Sequence, residues 1–441
     1  MLRRLVNAVF AQVERLDRHL RHRMTPAGVL AASVAGLGLI IGIDASATVG
    51  FQLFAWSTAL LLVSFLLSLR VRARPGVRRQ LPRYARAGET VAYRLQVENL
   101  GSRALGELRL WDRLADQPWP PSPGDVQANA SPRLPVTYYG WLSIRRIRRG
   151  AETQPATLIG IRAGQRADVR MELRLLRRGP IELTHVIVGR PDPLGLLNAL
   201  ATIPERSRLL VLPRRRPCPA LELGASTPDA APHREVQPVS IAGQQETIVH
   251  LREYRPGDSP RLIHWRSYAK RGELVVKEYE DESILRYALF VDTLADSVGA
   301  PRVEAAIELG AAFLESNLSS SGLTMSRTPA SGTPPRIDRL LLGLREFSAA
   351  PGSAYLLELL AMAQTIPTAT FEAMLAHWPT RVAASSGLIC ILSDYDARRQ
   401  QLVELALATR RPVYAFVIGP PSVDPGSRAH VVDLETANGA A

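Results

Sequence analysis

Between Ala27 and Leu69 the chain carries one charged residue, Asp44, flanked by two apolar runs, Ala27–Ile43 and Phe51–Leu69. At about 1.5 Å per helical residue the runs reach roughly 25–29 Å, close to the ~30 Å hydrocarbon core of a bilayer. The connection between them is too short for a domain, so the pattern predicts a two-helix transmembrane hairpin over residues 27–69. Ahead of it, Leu2, Leu5, Val6, Val9, Val13, Leu16 and Leu20 recur at helical spacing among arginines. That spacing predicts a juxtamembrane amphipathic helix over residues 1–26, lying at the headgroups.

Past the hairpin the period drops to two. TVAYRLQVEN, LGELRLWD, ADVRMELRLL and PIELTHVIVG alternate apolar and polar residues and are separated by Gly-Ser, Pro-rich and Arg-Arg-Gly breaks. This predicts an all-β, antiparallel sandwich-like domain over residues 80–210. Gln117–Pro135, rich in Pro, Ser and Asn, reads as a long loop, and no chemical constellation stands out in this domain. From Leu285 the pattern becomes α/β. Arg286–Val291, Gly387–Ser393 and Val413–Ile418 read as buried strands. Helices are expected near Arg302–Leu318, Ile337–Phe347, Ala354–Thr365, Phe371–His377 and Arg398–Thr409. A doubly wound, mostly parallel sheet over residues 286–420 follows. Ser319–Arg336 stands where a further pair of strands is expected, and the tail 421–441 lacks periodicity and is expected to be disordered.

Composition adds orientation and compartment. The formal net charge is +13, and of 54 basic residues only Lys270 and Lys277 are lysines. The arginines are spread along the chain without a nucleic-acid-binding motif to organise them, so no nucleic-acid partner is expected. Arg15, Arg18, Arg21 and Arg23 precede the hairpin, and Arg70, Arg72, Arg74, Arg78 and Arg79 follow it. With no basic residue in its loop, both termini are expected in the cytoplasm, with the protein in the inner (cytoplasmic) membrane and lipid among its partners. Cys218 and Cys390 form no C-x-x-C pair, which suits a reducing compartment. His19 and His22 read as a solvated i,i+3 pair on the basic helix. Gly36, Gly38 and Gly42 read as close helix packing, since no strand precedes them as a dinucleotide loop would need.

The densest chemistry lies in HLREYRPGDSPRLIHWRSYAKRGELVVKEYEDE, residues 250–282. Thr247–Tyr254 reads as a strand and Arg255–Asp258 as a turn. A helix is expected from Pro260, capped by Ser259 and closed by Gly272, with Glu273–Glu280 returning as a strand. On that helix Leu262, Trp265 and Ala269 share one face, with Arg261, His264, Ser267 and Arg271 on the other. The segment resembles the domain of unknown function 58 family, whose signature is filled by Arg252, Glu253, Tyr254, Pro256, Gly257, Asp258, Arg261, Ile263, His264, Trp265, Ala269, Gly272, Leu274, Val276, Lys277 and Glu282. Asp192-Pro193-Leu194-Gly195-Leu196 also looks like the family's lead-in.

The resemblance implies a membrane-anchored protein with a von Willebrand A-like domain. It further implies an adaptor or scaffold that accompanies a MoxR-type AAA+ ATPase in assembling or maturing cell-envelope proteins, rather than an enzyme. With no G-x-x-x-x-G-K-[ST], a separate ATPase would supply any nucleotide hydrolysis. The rival reading is a hydrolase using His264 and nearby Lys and acidic residues. Ser267-Tyr268-Ala269-Lys270 matches S-x-x-K, but no K-T-G or S-D-N accompanies it, and no Ser or Cys nucleophile is expected beside His264. The plainer expectation for Arg261, His264, Glu253, Asp258 and Glu278 is a structural polar network.

Two acids end successive strands, Asp292 and Asp394, on the rim where α/β sheets bind ligands. The resemblance implies a D-x-S-x-S loop holding magnesium there. The sequence instead reads Asp292-Thr293-Leu294-Ala295-Asp296-Ser297, and leucine offers a hard cation no oxygen. The alternative is that both acids cap helix N-termini.

Overall fold

A computed structural model describes residues 2–42, 48–70, 75–115, 149–217, 247–255, 260, 263–280, 286–295, 300–318, 336–349, 353–367, 370–424 and 430–432. The chain divides into two compact units, Met1–Arg214 and Arg215–Ala441. The expected loop Gln117–Pro135 and the segment Ser319–Arg336, up to residue 335, lie outside the described residues.

The first unit opens with three helices, α1 (Leu2–Arg23), α2 (Pro26–Ile41) and α3 (Thr48–Arg70). Within α3, Val49–Leu69 is long and apolar enough to cross a membrane, whereas α2 is a shorter apolar helix. Thr25 caps α2 by accepting the Gly28 N–H, with Pro26 in the first turn, where its missing N–H goes unmissed. Glycines set the α2–α3 approach. A Cβ on Gly38 would stand 2.8 Å from the Phe54 nitrogen, and one on Gly50 would stand 2.8 Å from the Gly42 nitrogen. Gly36 faces open space and takes no part.

Nine strands follow: β1 (Pro75–Gln80), β2 (Tyr84–Arg86), β3 (Thr90–Asn99), β4 (Leu105–Leu114), β5 (Ala151–Thr153), β6 (Ala156–Ile161), β7 (Arg166–Leu175), β8 (Gly179–Pro191) and β9 (Asn198–Leu212). They form a four-stranded sheet in the order β1-β3-β7-β5 and a five-stranded sheet in the order β2-β9-β8-β4-β6. Both sheets feed one apolar core. Tyr93, Leu95 and Val97 of β3 and Val169, Met171 and Leu173 of β7 enter it from one side, and Leu108 and Leu110 of β4 with Leu209 and Val211 of β9 from the other. In β8 the inward set switches from Ile181 and Leu183 to Val186 and Val188. A bulge between Leu183 and His185 inserts the extra residue that moves the inward face from odd to even positions.

The second unit begins with a two-stranded antiparallel ribbon, β10 (Thr247–Glu253) and β11 (Val275–Glu280), which encloses helix α4 (Trp265–Arg271). Its main sheet joins β12 (Arg286–Val291), β14 (Arg336–Leu342), β15 (Arg345–Ser348), β17 (Gly387–Leu392), β18 (Val413–Ile418) and β19 (His430–Val432) in the order β15-β14-β12-β17-β18-β19. All neighbours are parallel except β15 on β14. A short parallel pair, β13 (Leu294–Ala295) with β16 (Ile366–Pro367), lies beside it. Helices α5 (Ala300–Leu318), α6 (Ser353–Met362), α7 (Phe371–Ala383) and α8 (Ala397–Ala408) complete the unit. The central strands are buried on both faces, as continuous apolar runs in a helix-covered parallel sheet must be. Ala288, Phe290 and Cys390 meet Trp378 of α7 and Leu402 of α8, while Val291 and Ile391 face Gly310 of α5.

Two expectations fail here. Ile337–Phe347 is a β-hairpin, not a helix. Gly343 turns at φ +54° and Arg339 pairs across the strands with Glu346 at 2.9 Å. The Ile337, Leu340, Leu341 and Leu344 spacing imitates a helix over a run too short to decide by period. In the tail, His430–Val432 adds a parallel edge strand to β18, so the region is not uniformly without structure.

Candidate functional site

The signature segment is an antiparallel ribbon with a short helix between its strands. Arg252 and Glu253 of β10 pair with Val276 and Val275 of β11, and the Tyr254 N–H donates to the Leu274 carbonyl. Ile263 bridges to Val276, and these two side chains are the buried pair that holds the ribbon to the helix. The α-helix starts at Trp265 rather than Pro260: the Ile263 N–H closes a turn onto the Pro260 carbonyl, and the Ile263–Val276 bridge, with the His264 N–H donating to the Val275 carbonyl, interrupts the run before the helix. Gly272 closes it in the left-handed region at φ 72°, as glycine does without strain.

None of the residues of α4 is buried. Trp265 is 59% exposed, Tyr268 45% and Leu274 40%, with the two rings edge-to-face at 6.2 Å. The face that carries Trp265 and Ala269 therefore points to solvent, with Arg266, Lys270 and Arg271 also exposed. His264 Nδ1 lies 2.7 Å from Ser267 Oγ. This corrects the expectation that no nucleophile stands beside His264: at the helix start a three-residue spacing brings the two side chains together. Glu253 is exposed. Pro256, Gly257, Asp258 and Arg261, and the side chains of Arg252, Lys277 and Glu278, lie outside the described residues.

Residues 250–323 match the family described as a protein of unknown function, DUF58. The DUF58 match begins on β10, takes in α4 and β11, and runs through β12 and Asp292 to the end of α5. No curated protein matches the chain. Among solved structures, a mutant of Salmonella alpha-2-macroglobulin is 16% identical, with 32% of this chain and 7% of that one covered at a TM-score of 0.19. The CARDB domain of a Pyrococcus furiosus protein is 7% identical over 32% of this chain and 93% of that one, with a TM-score of 0.18. A PapD-like domain of human CEP192 is 13% identical over 32% and 84%, also at 0.18.

At the carboxyl end of β12, Asp292 is fully buried. Its Oδ2 accepts from the Ser393 hydroxyl at 2.6 Å, the Ser393 N–H at 3.0 Å and the Arg399 Nε at 2.7 Å, while Oδ1 accepts from the Leu294 N–H at 3.0 Å. Arg399 is itself 5% exposed and donates a further bond to Asp396, whose other oxygen caps α8. Asp394 stands apart: it accepts from Ser422 and Tyr395 and lies 3.4 Å from Arg302. Burial pushes its carboxyl up, but these hydrogen bonds and the Arg302 charge outweigh it and hold the group below the usual carboxylate range.

A divalent cation needs several free oxygens around one point. Here the guanidinium already fills the place of positive charge at Asp292, position 294 is Leu, and among the described residues no group of three His, Cys, Asp or Glu converges. Among the described residues this arrangement does not fit magnesium. Of the capping alternatives, Asp292 holds the turn at Leu294, and it is Asp396 rather than Asp394 that caps α8. Sequence reading missed Arg399. Its only signal was an arginine three residues after a capping Asp.

Cys390 sits beside this pair on β17. Burial, and then the Asp292 charge, push its thiol well up. A maleimide applied to the native full-length protein at mildly alkaline pH is expected to leave Cys390 unmodified and to label it after denaturation, read by peptide mass. Labelling of the native thiol would contradict the sealed sheet.

Proposed function

We propose that the chain is a membrane-tethered, cytosol-facing adaptor. In this reading α2 and α3 form a transmembrane hairpin with both termini in the cytoplasm of the inner membrane. The paired sheets form a β-sandwich spacer, and the second unit is a von Willebrand A-like domain without a working metal site. The stripe Val9, Val13, Leu16 and Leu20, each 43–61% exposed on α1, suits a helix lying among lipid headgroups. The partner is a MoxR-type AAA+ ATPase, acting in the assembly or maturation of cell-envelope proteins.

The observation that carries the adaptor role is the surface of α4 and the residues just after it, which offers Trp265, Tyr268 and Leu274 to solvent among three cations. Trp, Tyr and Arg are the residue types that dominate protein–protein hot spots, and the basic rim favours an acidic partner surface. Affinity purification of the tagged full-length protein is expected to bring down an AAA+ ATPase. Trp265→Ala should remove it while leaving the protein in the membrane fraction, since an exposed side chain contributes little to folding. Unchanged recovery of the ATPase with Trp265→Ala and with Tyr268→Ala would end this reading.

A hydrolase is the second reading, and the His264–Ser267 contact is what favours it, since a histidine bonded to a serine hydroxyl is how that nucleophile is activated. Against it, among the described residues nothing is bonded to the other ring nitrogen, and neither His264 nor Ser267 is fully buried. Turnover of ester or amide substrates by the full-length protein, abolished by His264→Ala, would favour it over the adaptor.

A further inference from the structure

The turn between β8 and β9, Asp192-Pro193-Leu194-Gly195-Leu196, does not end in open solvent but on the helices of its own unit. Asp192, 4% exposed, accepts a 2.8 Å hydrogen bond from the hydroxyl of Ser64, which is fully buried on α3. Thr25, the residue that caps α2, donates its hydroxyl to the Gly195 and Leu196 carbonyls at 2.6 and 3.0 Å and its N–H to the Leu196 carbonyl. At Gly28, one turn into α2, a Cβ would lie 2.0 Å from the Leu196 carbonyl oxygen, so the loop backbone lies directly against the helix there. Met24 bridges to Leu197, and the Asn198 amide donates to the His22 carbonyl.

Ser64 falls inside the apolar stretch Val49–Leu69, five residues before its end. At about 1.5 Å per residue that is roughly 7–8 Å within it. The Arg23 guanidinium lies 4.7 Å over the ring of Phe65, the next residue, as a snorkelling cation at the headgroup boundary would. With α3 taken as spanning the membrane, the turn falls at the height where headgroups give way to acyl chains.

Its chemistry suits that height. Backbone entering lipid must satisfy its polar groups internally. Here the N–H of Asp192 donates to the Leu197 carbonyl, that of Gly195 to the Asp192 carbonyl, and those of Leu194 and Leu197 to the Asp192 carboxylate. Pro193 has no N–H to satisfy. The carboxylate is thus turned inward and covered, while Pro193 and Leu194, the latter 43% exposed, are what the tip presents outward.

We infer that this turn is a membrane-inserted element: Leu194 enters the headgroup–acyl boundary beside α2 and α3, and the β-domain holds the bilayer through the turn. The inference rests on the transmembrane reading of α3. Its role would be to fix the height and orientation of the sheets above the membrane, instead of leaving them on a swinging linker.

Spin labels at Leu194→Cys, Leu60→Cys on the apolar helix, and Glu182→Cys near the far end of β8 test it. Each is placed in the full-length protein with Cys218→Ser and reconstituted in phosphatidylcholine–phosphatidylglycerol vesicles. Power saturation compares collision with oxygen, which favours lipid, and with a nickel chelate, which favours water. The expected order of oxygen over nickel is Leu60 highest, Leu194 clearly raised and Glu182 lowest. A Leu194 label as nickel-accessible as the Glu182 label, with Leu60 still in lipid, overturns the inference and leaves the spanning helix standing. A nickel-accessible Leu60 label removes both.

Discussion

Replacing Asp112 with Ala is expected to destabilise the first unit by about 3–5 kcal/mol, the range for breaking a buried ion pair from one side. Asp112 on β4 and Arg79 on β1 belong to different sheets, and both side chains are fully buried. Arg79 also donates to the Glu205 carbonyl at 2.8 Å and the Ser207 hydroxyl at 3.0 Å, both on β9. The Tyr93 hydroxyl donates to Asp112, and burial followed by the Asp112 charge pushes its phenol far up, so it stays protonated and remains a donor. Removing the carboxylate strands a guanidinium and a phenol in an apolar interior. The substitution pair Arg79→Met and Asp112→Leu, made together, should recover most of the loss, because no charge is then left buried. Pulse proteolysis of the detergent-solubilised full-length protein, with the fragments weighed, reads the first unit separately from the second. A double variant as unstable as Asp112→Ala would show that the loss arises from packing rather than from the orphaned charge.

That pair also marks where sequence reading stops. β3 was legible to the residue because ten positions alternate without interruption, and Val413–Ile418 because a parallel central strand is apolar throughout. The same alternation hides tertiary pairing: Asp112 and Arg79 sit at inward positions, but nothing along the chain says that they meet. The bulge in β8 is equally silent, since shifting the inward face by one residue needs no special composition. The start of α4 is less legible: Ser259-Pro260 is a good local start signal, but the bridge from Ile263 to Val276 interrupts the run and the α-helix opens only at Trp265. In the candidate site, the family resemblance marked the signature residues and the Asp292–Leu294 mismatch with the metal loop it implies. The partner of Asp292 arrives from more than a hundred residues away.

Arg399→Met is expected to destabilise the second unit by about 3–5 kcal/mol, again because one buried charge is left without its partner. Asp292 would keep its bonds from Ser393 and Leu294, but these neutral donors do not neutralise a carboxylate in a fully buried setting. Adding Asp292→Asn to Arg399→Met removes the remaining charge and should leave the protein more stable than Arg399→Met alone. Cys390 supplies the readout, since its thiol lies in the same core and becomes reactive only as the sheet opens, so denaturant midpoints for its labelling report this unit and not the first. The same assay separates a structural ion pair from a masked metal site. Binding of a cation to the native state alone would raise the midpoint by mass action. In the unaltered protein magnesium must displace the guanidinium from the carboxylate, so its addition should leave the midpoint where it was. A midpoint that climbs with magnesium concentration would mean that Arg399 yields to the ion, and that the strand-end acids bind metal after all.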